Sequence, residues 1–342
     1  MCAGFQLTTN SLVMRSAASD LLATNDEKLV GLWFARYICA FLLGAALGGF
    51  VFGALGDRIG RAKAMGLSIL TYSLFAGVTY WVDGPWQLLG LRFVTCMGVG
   101  GMWPNGVALV SETFSSLSKA FVAGLIGMAA NLGMAILASL AGYYPIDTES
   151  WRWVFAFGAS PALLGLLVLW FVPESSRWLE NRNRPAAEKP SVAEIFRRPL
   201  LRTTLLGIAL GTVPLLGGWG SANWVMLWAG QIGAESIPPD PYLKAHLQTV
   251  RAVLSIFGAL LGGVVATQIG RRRSYFLISL GAGMHFSGDI ELEIPWCQAG
   301  GNLVMHSNDA RLAVKSLKQD FAKIRAALGD ERSENDAPDI IV

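Results

Sequence analysis

The sequence predicts an all-α fold, a polytopic helix bundle embedded in a membrane. Of the 342 residues, 53% are hydrophobic and 15% are charged, which departs from the composition of soluble globular domains. Residues 29–56 contain a single charge, Arg36, and residues 64–82 contain none. Each run is long enough to cross a hydrocarbon core of about 30 Å as a helix.

Taken in order, the apolar segments predict seven to eight complete spans. The apolar segment at 1–18 is short and indicates an incomplete first helix. A ninth apolar run, over 274–286, would rise only about 20 Å as a helix, which is less than the thickness of the hydrocarbon core. Pro214 and the glycines around it predict a kinked or broken seventh span. The complete spans are expected at 29–56, 64–82, 86–111, 120–144, 153–172, 203–232 and 250–269.

Composition divides the chain into four parts. We expect an N-terminal membrane half over 1–172, a cytoplasmic linker over 173–202, an incomplete second half over 203–286, and a non-membrane tail over 287–342. The tail has six basic and ten acidic residues. Within the tail, charged and apolar residues alternate over 289–294, as in a short strand. An amphipathic helix is expected within 308–328, and residues 330–342 are predicted to be disordered.

Basic residues predict the orientation of the bundle. If the loop at 53–63 is cytoplasmic, the inner loops collect fourteen Lys and Arg and the outer side only five. This asymmetry follows the positive-inside rule, so we expect a multi-pass protein of the inner or plasma membrane.

The loop at 53–63 reads GALGDRIGRAK, and a degraded copy, GVVATQIGRRR, follows 210 residues later at 263–273. Two such hairpins at this spacing indicate an internal repeat. The chain resembles the major facilitator superfamily in these hairpins, in VSETF after the fourth span, and in WRWVFAFGASPALL and PESSRW around the sixth. Together these motifs favour the sugar-porter-like and metabolite:proton symporter branches.

The resemblance implies a secondary transporter that moves a small polar solute, an organic acid or a sugar-like metabolite, by alternating access. It also implies proton coupling, although no carboxylate lies in the middle of a visible span. Compared with the family, the chain reads as truncated at both ends, without most of the first helix and without the ninth to twelfth. We therefore expect that this chain alone does not transport.

Residues at the cytoplasmic ends of helices are expected to act as a conformational gate, because ion pairs there can lock one state and break in another. The expected gate consists of Gly53, Asp57, Arg58, Gly60, Arg61, Glu112, Glu174, Arg177, Gly270 and Arg271.

Intramembrane polar residues are the candidates for substrate binding. Arg36 and Arg92 either attract an anionic solute or extend their guanidinium groups to the outer headgroups. Gln6 and Asn10 share a helical face and either line a cavity or bond a neighbouring helix. Trp219 and Asn223 suit sugars or aromatic acids, and the remaining candidates are Asn105 and Asn131.

Other functional classes are less well supported. The sequence has no grouping of nucleophile, acid and base, so an enzyme is not expected, and scattered histidines and cysteines predict neither a metal site nor a cofactor. We expect no nucleic acid partner. The expected partners are the solute, protons and the lipid bilayer. The alternative function is a short membrane protein whose tail helix, within 308–328, binds a protein partner.

Overall fold

A computed structural model describes residues 1–113, 119–175, 178–180, 196–198, 200–235, 240, 242–270 and 272–277. Within these ranges the chain is helical and contains no strand. The helices are α1 (Cys2–Leu22), α2 (Glu27–Ile59), α3 (Arg61–Val78), α4 (Pro85–Thr113), α5 (Lys119–Ala141), α6 (Arg152–Ala159), α7 (Ala162–Phe171), α8 (Leu201–Glu235) and α9 (Leu243–Gln268), with a 3-10 turn at Thr79–Trp81.

Among the described residues, five helical stretches are long and apolar enough to cross a membrane, which confirms the predicted all-α membrane bundle. They are Glu27–Ile59, Pro85–Thr113, Phe121–Ala141, Arg152–Phe171 and Leu243–Gln268. Large apolar side chains on the outside of the bundle are exposed, including Leu43, Phe50, Trp170, Phe171 and Leu254. In a bilayer this surface faces the lipid tails.

The first helix occupies the centre of the described bundle. Its 21 residues span about 32 Å. Helix α1 packs against α2, α4, α5, α6 and α8, and twelve of its residues are buried, including polar Gln6 and Asn10. This central position explains why α1 is less apolar than α2, since α1 contacts protein rather than lipid.

Close packing of α2 against α4 depends on small residues. A Cβ atom on Gly48 would overlap the main-chain carbonyl of Met97, and one on Gly100 would overlap that of Ala45. Helices approach this closely in lipid because glycine leaves the backbone surface uncovered. The small-residue cluster in the fourth span therefore fixes the position of α4 against α2, and with it the position of Arg92.

The sequence predicted an interruption in the seventh span, whereas the structure has one in the sixth. The expected break in the seventh span is absent, because α8 is one continuous helix through Pro214. A turn at Ser160 and Pro161 instead divides the sixth span into α6 and α7. Pro161 has no N–H to donate to the Phe157 carbonyl, which accepts from the Ser160 N–H at 3.0 Å.

The hairpin at 53–63 lies at one end of the bundle, called here the hairpin end. At the opposite end, the loop end, Asp20 joins α1 to the start of α6. Its carboxylate accepts from Trp151 Nε1 at 2.9 Å and from Arg152 Nη1 at 2.8 Å, and Arg152 Nη2 donates to the Val82 oxygen at 3.1 Å. These bonds tie the loop ends of three spans together.

Several predicted features lie outside the described residues. They include most of the predicted linker at 173–202 and the part of the ninth apolar run that follows residue 277. The predicted strand at 289–294, the predicted helix within 308–328 and the segment 330–342 also lie outside them.

Candidate functional site

Arg92 on α4 is buried at a site that α1 completes. The guanidinium is 1% exposed, and the amides of Gln6 and Asn10 face it because residues four apart share one side of a helix. Arg92 Nε donates to Asn10 Oδ1 at 3.0 Å, Nη1 to Gln6 Oε1 at 3.1 Å, and Nη2 to the Gln6 main-chain oxygen at 2.6 Å. The structure thus brings together three residues that the sequence offered as separate candidates.

Every hydrogen-bond acceptor of Arg92 is electrically neutral. Within the described part of the chain, no carboxylate pairs with this cation. A guanidinium has five N–H donors, and the three bonds to Gln6 and Asn10 leave two of them without an acceptor among the described residues. A buried cation without a counter-ion is costly, and two free donors are the number that a bidentate carboxylate uses.

Two further groups belong to the surroundings of Arg92. Gln6 Nε2 points to the Gly158 oxygen of α6 at 3.4 Å, so the site connects three helices. Thr95 lies three residues after Arg92 on the same side of α4. Its side chain is buried, and its hydroxyl has no hydrogen-bond partner in the part of the chain that the structure describes. Sequence reasoning missed Thr95 because nothing in a run of small and apolar residues distinguishes one buried threonine from another.

Arg36 has a different environment from Arg92. The guanidinium lies over the ring of Trp33 at 4.7 Å and near that of Trp86 at 5.6 Å, and the Trp86 side chain is 67% exposed. This arrangement is a cation–π cluster at the lipid-facing surface near the loop end. The structure does not bring Arg36 to the Gln6, Asn10 and Arg92 site.

The remaining substrate candidates are dispersed. Asn105 is fully buried, and its Nδ2 donates at 2.9 Å to both Phe52 and Gly101 main-chain oxygens, which holds α2 against α4. Asn131 Nδ2 donates to the Gly127 oxygen of its own helix at 3.0 Å. Trp219 and Asn223 lie on α8, but their side chains are outside the described part of the structure.

An open cleft of about 370 Å³ lies at the loop end, lined by residues of α1, α2, α8 and α9. Arg15 and Lys244 line it, and Arg15 forms an ion pair with Glu27. Lys244 Nζ donates to the Leu12 main-chain oxygen at 3.1 Å. Arg15 and Lys244 are two of the five basic residues that the sequence assigned to the outer side, and the sequence indicated no further role for them, because a cleft between distant helices leaves no local pattern.

Nearby Asp147 adds a negative charge at the loop end. A hydrogen bond from the Ser150 side chain is the main reason that the pKa of Asp147 lies below its ordinary value, and the backbone N–H groups of Ser150 and Glu149 add to it. Asp147 therefore stays ionised at neutral pH and interacts electrostatically with Lys244.

Charged residues of the expected gate meet at the hairpin end. Asp57 and Arg61 form an ion pair at 2.7 Å, and Arg61 Nε lies 3.9 Å from Glu112. The Ser175 hydroxyl donates to Glu112. The hairpin is thereby connected to the end of α4 and to the segment after α7.

Glu174 makes contacts of a different kind from those expected. Its carboxylate accepts from the main-chain N–H groups of Ala62 at 3.1 Å and Lys63 at 3.0 Å, so it caps the N-terminus of α3. Gly60, between α2 and α3, has φ 117° and ψ 151°, and a Cβ atom there would overlap this carboxylate. Trp178, which the sequence did not single out, donates from Nε1 to the Asp57 main-chain oxygen at 3.1 Å.

Other members of the expected gate make fewer contacts. Gly53 has no neighbouring atom that a Cβ would meet, and Arg58 is exposed. Gly270 in the second hairpin has φ 88°. Arg177 and Arg271 lie outside the described residues.

A family model described as the Major Facilitator Superfamily matches residues 1–288. The chain belongs to the Major Facilitator Superfamily. It is accordingly a multi-pass membrane protein, as the sequence predicted. Membership of this family of transporters, rather than any missing catalytic group, supports the expectation that the chain is not an enzyme.

Two curated relatives illustrate the similarity. The chain is 29% identical over 246 residues to a probable 4-methylmuconolactone transporter of Cupriavidus pinatubonensis, covering 70% of this chain and 55% of that protein. It is 34% identical over 204 residues to the 4-hydroxybenzoate transporter PcaK of Pseudomonas aeruginosa, covering 55% of this chain and 45% of that protein. The chain spans about half the length of these relatives.

A crystal structure of a D-xylose-proton symporter has the same fold. It matches with a TM-score of 0.57 and 17% identity, over 78% of this chain and 67% of that one. At this identity the similarity concerns the fold alone.

Proposed function

We propose that this superfamily member belongs to a carrier of small organic anions, and that Arg92 binds the carboxylate of the solute. The observation that carries the proposal is the buried guanidinium, whose acceptors are all neutral and which keeps two free N–H donors. In a desolvated site, a charge-assisted bidentate bond to a carboxylate is strong, and it removes the cost of an uncompensated cation.

The proposed route to Arg92 begins at the cleft of the loop end. Arg15 and Lys244 line this cleft, and each offers an N–H donor group that an anion can contact in place of Glu27 or of nearby Asp147. Rearrangement of the two halves around α1 would then expose Arg92, as alternating access requires. Trp219 and Asn223 on α8 are proposed to complete the cavity wall from the second half.

The relatives support an aromatic or unsaturated acid as the solute. One relative is named as a transporter of 4-hydroxybenzoate and the other as a probable transporter of 4-methylmuconolactone. We therefore choose 4-hydroxybenzoate as the first probe for this chain. It has one carboxylate for Arg92 and a ring that suits the buried aromatic surroundings of the bundle.

Anion binding to the purified protein in lipid nanodiscs, followed by calorimetry, tests the proposal without requiring a complete transport cycle. Arg92→Gln is expected to weaken 4-hydroxybenzoate binding at least tenfold, because it removes a charge-assisted interaction worth about 1.5–3 kcal/mol. Arg36→Gln is the matched control, with an expected change below twofold, because Arg36 lies over Trp33 and Trp86.

A thermal denaturation curve of each variant separates loss of binding from loss of the fold. Wild-type affinity in a folded Arg92→Gln protein would refute the role of this arginine. Equal weakening by both substitutions would show a general effect of removing positive charge rather than a specific site.

We also propose that the 53–63 hairpin faces the cytoplasm of a bacterial-type inner membrane, because of the excess of basic residues on that side. In a variant with Cys2, Cys39, Cys96 and Cys297 changed to serine, an impermeant maleimide added to intact cells should label Glu149→Cys but not Lys63→Cys. Both side chains are exposed. The opposite labelling pattern would reverse the orientation.

A further inference from the structure

We infer that the Arg92 site binds an ionised carboxylate without taking up or releasing a proton, and that Gln6 and Asn10 determine this property. The inference rests on the proposed function, because it concerns the same site. It identifies the two amides as specificity-determining residues: they satisfy donors of the arginine without cancelling its charge.

The acceptors that face the guanidinium do not titrate. They are the side-chain oxygens of Gln6 and Asn10 and a main-chain oxygen of Gln6, and all three are amide oxygens. The guanidinium itself is not deprotonated in proteins. If a glutamate and an aspartate accepted the same bonds, they would neutralise the cation and give the site a group that binds protons.

Titratable groups on the surrounding elements are few. Cys96, one turn along α4, is buried and interacts electrostatically with Arg92. Tyr37 of α2 and Tyr72 of α3 are buried phenols, and the Tyr37 hydroxyl points to the Pro85 oxygen. Helix α6 contributes the Gly158 carbonyl. Thiols and phenols are ordinarily neutral at neutral pH, and burial in an apolar region favours that neutral form further.

Carboxylates on the helices around the site lie at helix ends. In α1 the acidic residue is Asp20, in α2 Glu27 and Asp57 lie at the two ends, and in α4 it is Glu112, which is twenty residues from Arg92. Helix α3 and the α6–α7 segment contain no Asp, Glu or His. Twenty helical residues span about 30 Å, so Glu112 cannot serve as the counter-ion of Arg92. Among the residues that the structure describes, none supplies a carboxylate beside Arg92, so we assign that role to the solute carboxylate and place any coupling proton elsewhere.

Calorimetry with 4-hydroxybenzoate tests this directly. Titrations in buffers with different ionisation enthalpies report the number of protons exchanged for each anion bound. For the wild type we expect zero protons and less than a twofold change in affinity between pH 6 and 8, where the carboxylate of the probe is ionised. For Gln6→Glu, which has the same shape, we expect binding at least tenfold weaker at pH 8, partial recovery at pH 6, and uptake of up to one proton.

Asn10→Asp is the second variant, with the same expectation, and Gln87→Glu is the matched control. Gln87 is exposed at the start of α4, so the added charge there should leave affinity and proton count unchanged. Uptake of about one proton by the wild type would overturn the inference while the proposed function stands. If the wild type bound no 4-hydroxybenzoate at pH 6 or at pH 8, the proposed function itself would be overturned. The wild-type measurement decides both questions even if neither site variant folds.

Discussion

The two hairpins of the chain share a turn but differ in what surrounds it. Gly60 and Gly270, 210 residues apart, both have positive φ, at 117° and 88°. Around Gly60 are the Asp57–Arg61 ion pair and the Glu174 carboxylate. Around Gly270 a Cβ would meet no atom, and Thr267, at the position of Asp57, donates to the Gly263 oxygen of its own helix at 2.8 Å.

The comparison shows that the turn and the charged cluster of the motif have separate causes. The glycine encodes the turn locally, because positive φ is accessible to glycine at little cost. The charged cluster depends on side chains that come from other parts of the chain, namely Glu112, Glu174 and Trp178. A degraded copy of the motif can therefore keep the turn while it lacks the cluster.

Substitution of the two glycines should give the largest difference. Gly60→Ala is expected to lower the free energy of unfolding by ~2–3 kcal/mol, because its φ and ψ are nearly exclusive to glycine and the new Cβ displaces the Glu174 carboxylate. Gly270→Ala is expected to cost ~1 kcal/mol, from backbone strain alone. Unfolding in SDS, followed by tryptophan fluorescence, compares the two. Equal costs would show that the Glu174 contact contributes nothing.

Removal of the α3 cap should have the next largest effect. Glu174→Ala leaves the Ala62 and Lys63 N–H groups without their acceptor and is expected to cost ~1–2 kcal/mol. Glu174→Gln keeps an acceptor but removes the charge at the helix N-terminus, so a loss of ~0.3–1 kcal/mol is expected. The same unfolding assay distinguishes these values. If Glu174→Gln were as damaging as Glu174→Ala, charge rather than hydrogen bonding would dominate.

The Asp57–Arg61 pair should contribute least. Asp57 is 59% exposed, and Asp57→Asn is expected to change the free energy of unfolding by less than ~0.5 kcal/mol. Trp178 donates to the Asp57 main-chain oxygen, which this substitution leaves in place. Salt titration of the stability provides the check, since a screened surface pair should lose its small effect in high salt. A cost above that of Glu174→Ala would contradict this ranking.

At the candidate site, the sequence could not distinguish the environments of the two intramembrane arginines. Arg36 and Arg92 both lie a few residues inside the loop end of apolar helices, and the sequence left the same two interpretations open for each. In the structure Arg36 contacts tryptophan rings, whereas Arg92 contacts the amides of α1. The pairing of Gln6 with Asn10 on one face was predictable from their spacing, but their contact with Arg92 was not.

Hydrophobic runs, turn glycines and the distribution of basic residues determined the membrane class, the all-α bundle and the family resemblance from the sequence alone. These features act over distances of one helix or one turn, so a linear pattern records them. Tertiary structure decided that Pro161 rather than Pro214 interrupts a helix, that Glu174 caps α3, and that Arg92 is buried among neutral acceptors. Each depends on which helices come into contact, because the energetic cost of a buried charge or a free carbonyl is set by the groups that other segments place beside it.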